Sequence, residues 1–312
     1  IVGLVLGENP VRSHWRTESF QGLIGWALGS GFCFFLLRKF FPYKSPLLAL
    51  AAVAIFLLIG SGPKQAIVCA IFLGSNYILG NLIYTRLLDT GTTPNNLLMS
   101  LLLGFSCYLL TLMLMIQWPI NYVATYWALL LAPIVALVFL KKDQKRLGNY
   151  VCQITAEVNQ KLSSVPYHLW AMTLMLIGYV GSFAFIPTIM PDDIGYHLAM
   201  WTQLDYHHKF LFDVKTQVWS TAPFASDVIH GFLSLCAGDD ARGARNIIFY
   251  GFLLLALANI STQLFTKPAH TLLVVALFSS TPMTANLLIG LQVELILATL
   301  TTAGIYCLCV PG

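Results

Sequence analysis

Two adjacent carboxylates, Asp192 and Asp193, follow directly on residues 162–191, a run with no Asp, Glu, Lys or Arg. Ionised carboxylates at the end of a membrane-length apolar segment are costly unless they meet water, a partner or a substrate. The stretch 191–223 that they open also holds Asp205, Asp213, His197, His207 and His208. After Pro191, apolar residues Ile194, Leu198, Trp201 and Leu204 recur at three- and four-residue spacing, which predicts an amphipathic helix lying in the membrane interface. At the start of that helix Asp192 can act as a cap, and Asp193 favours its first turn. The same position keeps a carboxylate ionised, so that it can serve as general base toward a hydroxyl. Asp193 and His197, four residues apart, share a helix face. They can form a hydrogen-bonded pair or, with Asp192, a divalent-cation site of oxygen and imidazole ligands. His207, His208 and Lys209 read as a solvated interfacial edge, with contact to an anionic lipid or diphosphate as the alternative.

Further candidates lie downstream. Asp227 and His230 sit one helical turn apart in an apolar segment. An intramembrane Asp is a functional candidate by default, against the reading of a satisfied Asp–His or Asp–backbone pair. Arg242 and Arg245, three apart at a helix start, either pair with Asp239 and Asp240 or offer a guanidinium to a phosphate. Glu294 stands alone between two apolar runs. No nucleotide-phosphate loop, serine-nucleophile elbow, zinc-protease motif or haem-attachment motif occurs. The seven cysteines lie in or near apolar runs without paired metal spacing and read as membrane-buried thiols.

The elements that must position these residues are membrane helices. The chain of 312 residues is 57% hydrophobic and only 10% charged, far below the roughly 25% of a soluble domain. Its net charge of +4 is unevenly placed and does not point to nucleic acid. Charge-free stretches of about 20 residues mark spans at 20–37, 45–63, 65–85, 95–117, 122–140, 168–190 and 246–266. The shorter 224–238, the interrupted 268–293 and 295–310 bring the expectation to about ten. Residues 117–122, with Pro119 and interfacial aromatics, read as a membrane-surface turn, and residues 279–282 divide 268–293. The basic loop 141–161 is cytoplasmic by the positive-inside bias and carries a surface helix over 147–161. Span 168–190 then ends outside, which makes 191–223 extracytoplasmic. Arg38, Lys39 and Lys44 agree with this orientation; Arg12 and Arg16 do not. The side on which Glu294 lies is left open. The expected organisation is an all-α polytopic transmembrane bundle, with N-terminal helices and a cytoplasmic loop in 1–167 and a second unit in 168–312. The chain opens without Met and stops straight after an apolar run, so clipped ends are expected.

The order of features over about residues 168–305 resembles GT-C glycosyltransferases. It runs from a span to Asp192-Asp193-Ile194-Gly195-Tyr196-His197-Leu198, then Ala222-Pro223, an apolar helix, and Gly238-Asp239-Asp240-Ala241-Arg242-Gly243-Ala244-Arg245-Asn246. The resemblance is to the family-39 group, with protein O-mannosyltransferases and the lipid A aminoarabinose transferase. Asp192, Tyr196, His197 and Leu198 match a signature that many bacterial members carry. It implies an inverting sugar transfer from a polyprenyl-phosphate donor to a hydroxyl acceptor at a bacterial inner membrane. It further implies Asp192 as base, Asp193 beside it, and Tyr196, His197, Asp227, Arg242, Arg245 and Glu294 about the substrates. The implied partners are the lipid-linked donor and membrane lipids. The later helices and C-terminal domain that complete the lipid-phosphate site in this family have no counterpart in the sequence. Two other classes remain: a non-catalytic GT-C-like subunit packed in a larger membrane complex, and a transporter coupled through Asp227 and Glu294.

Overall fold

A computed structural model describes residues 17–87, 97–187, 197–211, 225–291 and 293–309, all helix, turn or coil, with no strand among them. The helices are α1 (Thr17–Phe40), α2 (Ser45–Gly60), α3 (Pro63–Leu87), α4 (Leu97–Met115), α5 (Val123–Phe139), α6 (Lys141–Ser163) and α7 (Tyr167–Gly181). A 3₁₀ turn, Ser182–Phe185, extends α7. Then come α8 (Leu198–His207), α9 (Ala225–Ala237), α10 (Arg242–Leu264), α11 (Pro268–Ser279), α12 (Pro282–Ile289) and α13 (Glu294–Cys309). Five helices are long and apolar enough to cross a membrane, or up to seven if each of two bent pairs is one span. Large apolar side chains such as Leu28, Phe32, Phe35, Ile55, Leu114 and Val138 are exposed. Hydrocarbon as solvent accounts for that surface, whereas in water it would be an aggregation hazard.

Backbone breaks fall where the residue types require them. Asn121, at the surface turn, donates its Nδ2 to the carbonyls of Met115 and Trp118, and its Oδ1 accepts from the Tyr126 hydroxyl. That caps α4 and starts α5. Pro282 ends the α11 direction, Thr281 Oγ1 receives the amide of Thr284, and α12 leaves at 62° to α11. The closest helix crossing is α3 on α4. A Cβ on Gly80 would lie 1.7 Å from the Ser100 carbonyl oxygen, and one on Gly104 would lie 1.9 Å from that of Asn76. Only glycine permits this approach, and small residues drive packing where lipid removes the hydrophobic force between helices. Ser75 and Tyr108 hydroxyls close the same seam at 2.6 Å.

Cross-links sort the chain into two ends. One gathers most of the described basic residues. There Asn159 of α6 donates to the Tyr43 carbonyl, Arg38 lies over the Tyr167 ring, and Arg86 meets Asp143. The other gathers the turn at 117–122, the start of α3, α8, both ends of α9, the start of α10 and the end of α12. His208 accepts from the amide of Asn121, Phe210 donates to Ile116, and Gln65 donates to Asp239.

The segment expected as a short span at 224–238 is a thirteen-residue helix, α9, tied at both of its ends to the start of α10. At its beginning Ser226 accepts from Arg245, and just past its end Asp239 meets the first turn of α3 and Asp240 meets Arg242. Arg242 and Arg245 are within one turn of α10, so α9 begins and finishes at the same end. Thirteen residues reach only about 20 Å, and all from Ser226 to Ala237 are buried. Phe232 sits among Phe72, Tyr108 and Tyr126.

Candidate functional site

The first turn of α10 is the hub of this end. Alanines at 241 and 244 and glycine at 243 let three other segments press against it. A Cβ on Gly243 would stand 2.6 Å from the Ala184 carbonyl oxygen and 3.2 Å from Ser61 Cβ. Arg242 then reaches across both neighbours. Its Nη2 donates to the Ile186 carbonyl at 2.6 Å and its Nη1 to the Ile289 carbonyl. Those carbonyls close the 3₁₀ turn after α7 and the last turn of α12, where helical partners run out. Asn246 continues the clamp, with Nδ2 on the carbonyls of Leu288 (3.0 Å) and Gly290 (2.7 Å). Its Oδ1 accepts from Arg245 Nε (3.0 Å) and Nη2 (2.7 Å). Arg245, with no exposed surface, gives Nη1 to Ser226 Oγ at 2.7 Å and to the Ser226 carbonyl at 3.1 Å.

Two Asp–His pairs flank the hub. His197 Nδ1 and Asp227 Oδ1 lie 2.8 Å apart and tie the start of α8 to the first turn of α9. Met200 and Leu204, one turn apart, are buried on the same helix, so α8 packs a face into protein rather than lying free in the interface. The second pair is His230 Nε2 and Asp240 Oδ1 at 2.7 Å, with Ser234 Oγ 3.1 Å from the same nitrogen. A carboxylate only accepts, so His230 Nε2 carries the proton in this bond. Asp240 also accepts from the Arg242 amide at 2.9 Å and lies 3.7 Å from its Nε. Burial pushes the Asp240 carboxyl up. The hydrogen bond and charge of His230, then the amide and guanidinium of Arg242, outweigh burial and hold it at about 2.

The sequence expectations fare unequally. Asp192, Asp193 and Tyr196 lie outside the described residues, so the Asp193–His197 pairing and the divalent-cation alternative fall there too. His197 itself meets Asp227. Asp227 sits in an Asp–His pair, with His197, and His230, one turn further on, pairs with Asp240. Arg242 does reach Asp240, whereas Arg245 turns to Ser226 and Asn246 and Asp239 goes to Gln65. Of the His207–Lys209 edge, His207 and Lys209 are exposed and His208 docks. His208 takes the left-handed conformation (φ 54), accepts from Asn121, and sets its ring 4.1 Å from that of Tyr122. Glu294 is exposed at the start of α13, four residues after the Gly290 carbonyl that Asn246 holds, and so belongs to the hub's end.

Reading the sequence missed Gln65, Ser226 and Ser234. Buried polar residues in apolar helices were the available signal, since each needs a partner there. No group of three or more metal-ligating side chains occurs among the described residues. Comparison with protein-family models, with curated proteins and with solved structures finds nothing that matches this chain. Chemically, the arrangement fixes the ends of five segments against one helix start and leaves an exposed carboxylate, Glu294, beside them.

Proposed function

We propose that the protein is a membrane glycosyltransferase that moves a sugar from a polyprenyl-phosphate donor to a hydroxyl acceptor at the hub's end of the bundle. One observation supports the reading above others. The segments leading to Asp192–Asp193 and to Glu294 are held by the same guanidinium, that of Arg242, while His197 and Asp227 meet beside it. Asp192 takes the proton of the acceptor hydroxyl, that oxygen attacks the anomeric carbon, and the polyprenyl phosphate leaves with inversion. Asp193, Tyr196 and Glu294 serve the substrates on this reading. Arg242, Arg245, His197 and Asp227 act as positioning residues, since each is bonded to other parts of the chain.

On this reading the basic end faces the cytoplasm by the positive-inside bias, and residues 191–223 lie outside a bacterial inner membrane. α9 drops out of the expected ten crossings, while α2 and α13 cross despite their length. The experiment is transfer from polyprenyl-phosphate hexoses by Asp192→Asn protein that elutes and melts like the parent. Transfer is expected to disappear, and retained transfer removes Asp192 as base. A second reading, a non-catalytic subunit, is favoured by the same internal bonding of His197, Asp227, Arg242 and Arg245. Purification with stoichiometric membrane partners and no sugar turnover would establish it.

A further inference from the structure

At the end opposite the hub, Thr85 and Arg86 from the last turn of α3 meet Asp143, Lys145, Arg146 and Asn149 from the first turns of α6. Together they line an open cavity of about 470 Å³. Among the described residues of the lining, three cations face one carboxylate, a net positive set. Arg86 approaches Asp143 at 3.7 Å, through one nitrogen, with its side chain 61% exposed. That is a loose, one-point ion pair, not the bidentate pairing that commits a guanidinium. Asn149 adds an amide donor. Next to these charges in the chain, Leu87 and Phe139 are among the most exposed large apolar side chains. α6 turns 103° away from α5, the geometry of an amphipathic helix lying in a membrane surface. A positive cavity rimmed by lipid-facing carbon suits a molecule that is anionic at one end and apolar at the other.

We infer that this cavity binds the phosphate headgroup of an anionic phospholipid in the leaflet at the basic end of the bundle. Basic pockets between helix ends select such headgroups by charge. The phosphate takes Arg86 together with Lys145 and Arg146, and the acyl chains run along the carbon surface beside α3 and α5. Asp143 opposes the ligand and tunes affinity down. The inference is independent of any sugar transfer at the other end.

The test uses the full chain purified in neutral detergent, with retained ligand read by native mass spectrometry and stabilisation by thermal melting. The probes are phosphatidylglycerol, phosphatidylcholine and inorganic phosphate. Phosphatidylglycerol is expected to stay bound and raise the melting temperature, whereas phosphatidylcholine and inorganic phosphate at equal concentration do neither. Arg86→Gln, Lys145→Gln and Arg146→Gln should each weaken phosphatidylglycerol about fivefold. Asp143→Asn should strengthen it about threefold. Equal retention of the two lipids, or unchanged affinity in the triple glutamine variant, overturns the site. A melting shift from inorganic phosphate equal to that from phosphatidylglycerol overturns the lipid source. Should an Arg86 variant not fold, the gain expected from Asp143→Asn decides the matter alone.

Discussion

The two ends of this bundle use charge in opposite ways. At the hub, Arg242 is 4% exposed and Arg245 is fully buried, and their donors end on carbonyls, a serine and an asparagine. At the basic end, the Arg86 side chain is 61% exposed and meets the Asp143 carboxylate at 3.7 Å. A guanidinium out of water must have its donors satisfied by the protein, or the fold loses several kcal/mol. One in water or among headgroups needs nothing from its neighbour. Buried charge therefore holds helices together here, while exposed charge is left for orientation and ligands.

The sharpest way to break this comparison is to remove Arg245. Arg245→Met keeps much of the volume but strands Ser226 Oγ and Asn246 Oδ1 in a buried setting. Each unpaired group costs about 1–3 kcal/mol. Bonds between membrane helices are on average weaker than that, because the unfolded chain in lipid also finds partners. The expected loss is therefore about 2–4 kcal/mol, read by thermal or detergent unfolding. A loss under about 1 kcal/mol would mean that the hub is not what fixes α9 against α10.

Asn246→Ala should do less, about 1–3 kcal/mol, and should do it locally. The side chain holds the Leu288 and Gly290 carbonyls, so amide exchange over 282–294 should rise before exchange elsewhere. Uniform protection loss across α10 and α13 would contradict a local clamp.

How much of this was legible beforehand depends on how far apart the cause and its signal lie in the chain. The breaks at Asn121 and Pro282 were readable because the residue that makes the turn sits in the turn. The basic run at 141–161 was readable because an amphipathic pattern repeats within its own helix. α9 was not, since thirteen apolar-looking residues resemble a short span. What distinguishes it is that Asp227, His230 and Ser234 find partners at the start of α8 and in the turn at 238–241. Nor were the pairs. His197 and Asp227 are 30 residues apart, and Arg242 and Ile289 are 47 apart. A backbone carbonyl that accepts from an arginine leaves no mark in the residue types. The candidates themselves, His197, Asp227, Arg242 and Arg245, were found because charge in an apolar context is conspicuous; what they bond to was not.

Asp240 tests the hub's electrostatics through pH. Its folded-state value of about 2 lies below the ordinary 3.8, so its stabilisation is complete above about pH 4. It fades as pH falls toward 2, where the folded state too takes up the proton. His230 and Arg242 are the groups that face it most closely. The side chain is 38% exposed, and solvent screening reduces the contribution to about 1 kcal/mol. Melting temperature should decline between pH 4 and pH 2 in the parent and decline less in Asp240→Asn. Equal slopes would show that other carboxylates carry the acid sensitivity.

The smallest effect is expected at the other end, and its smallness is the informative part. Arg86→Gln removes an exposed pair whose partners meet at 3.7 Å. Such pairs contribute about 0–1 kcal/mol and less in salt. In lipid-free detergent the melting temperature should therefore stay within about 1–2 °C of the parent, with any difference vanishing as salt is raised. A double-mutant cycle with Asp143→Asn should return a coupling energy below about 0.5 kcal/mol. A coupling above about 1.5 kcal/mol would mean that the pair is a clamp like Arg242. The two ends would then differ in exposure but not in the way they use charge.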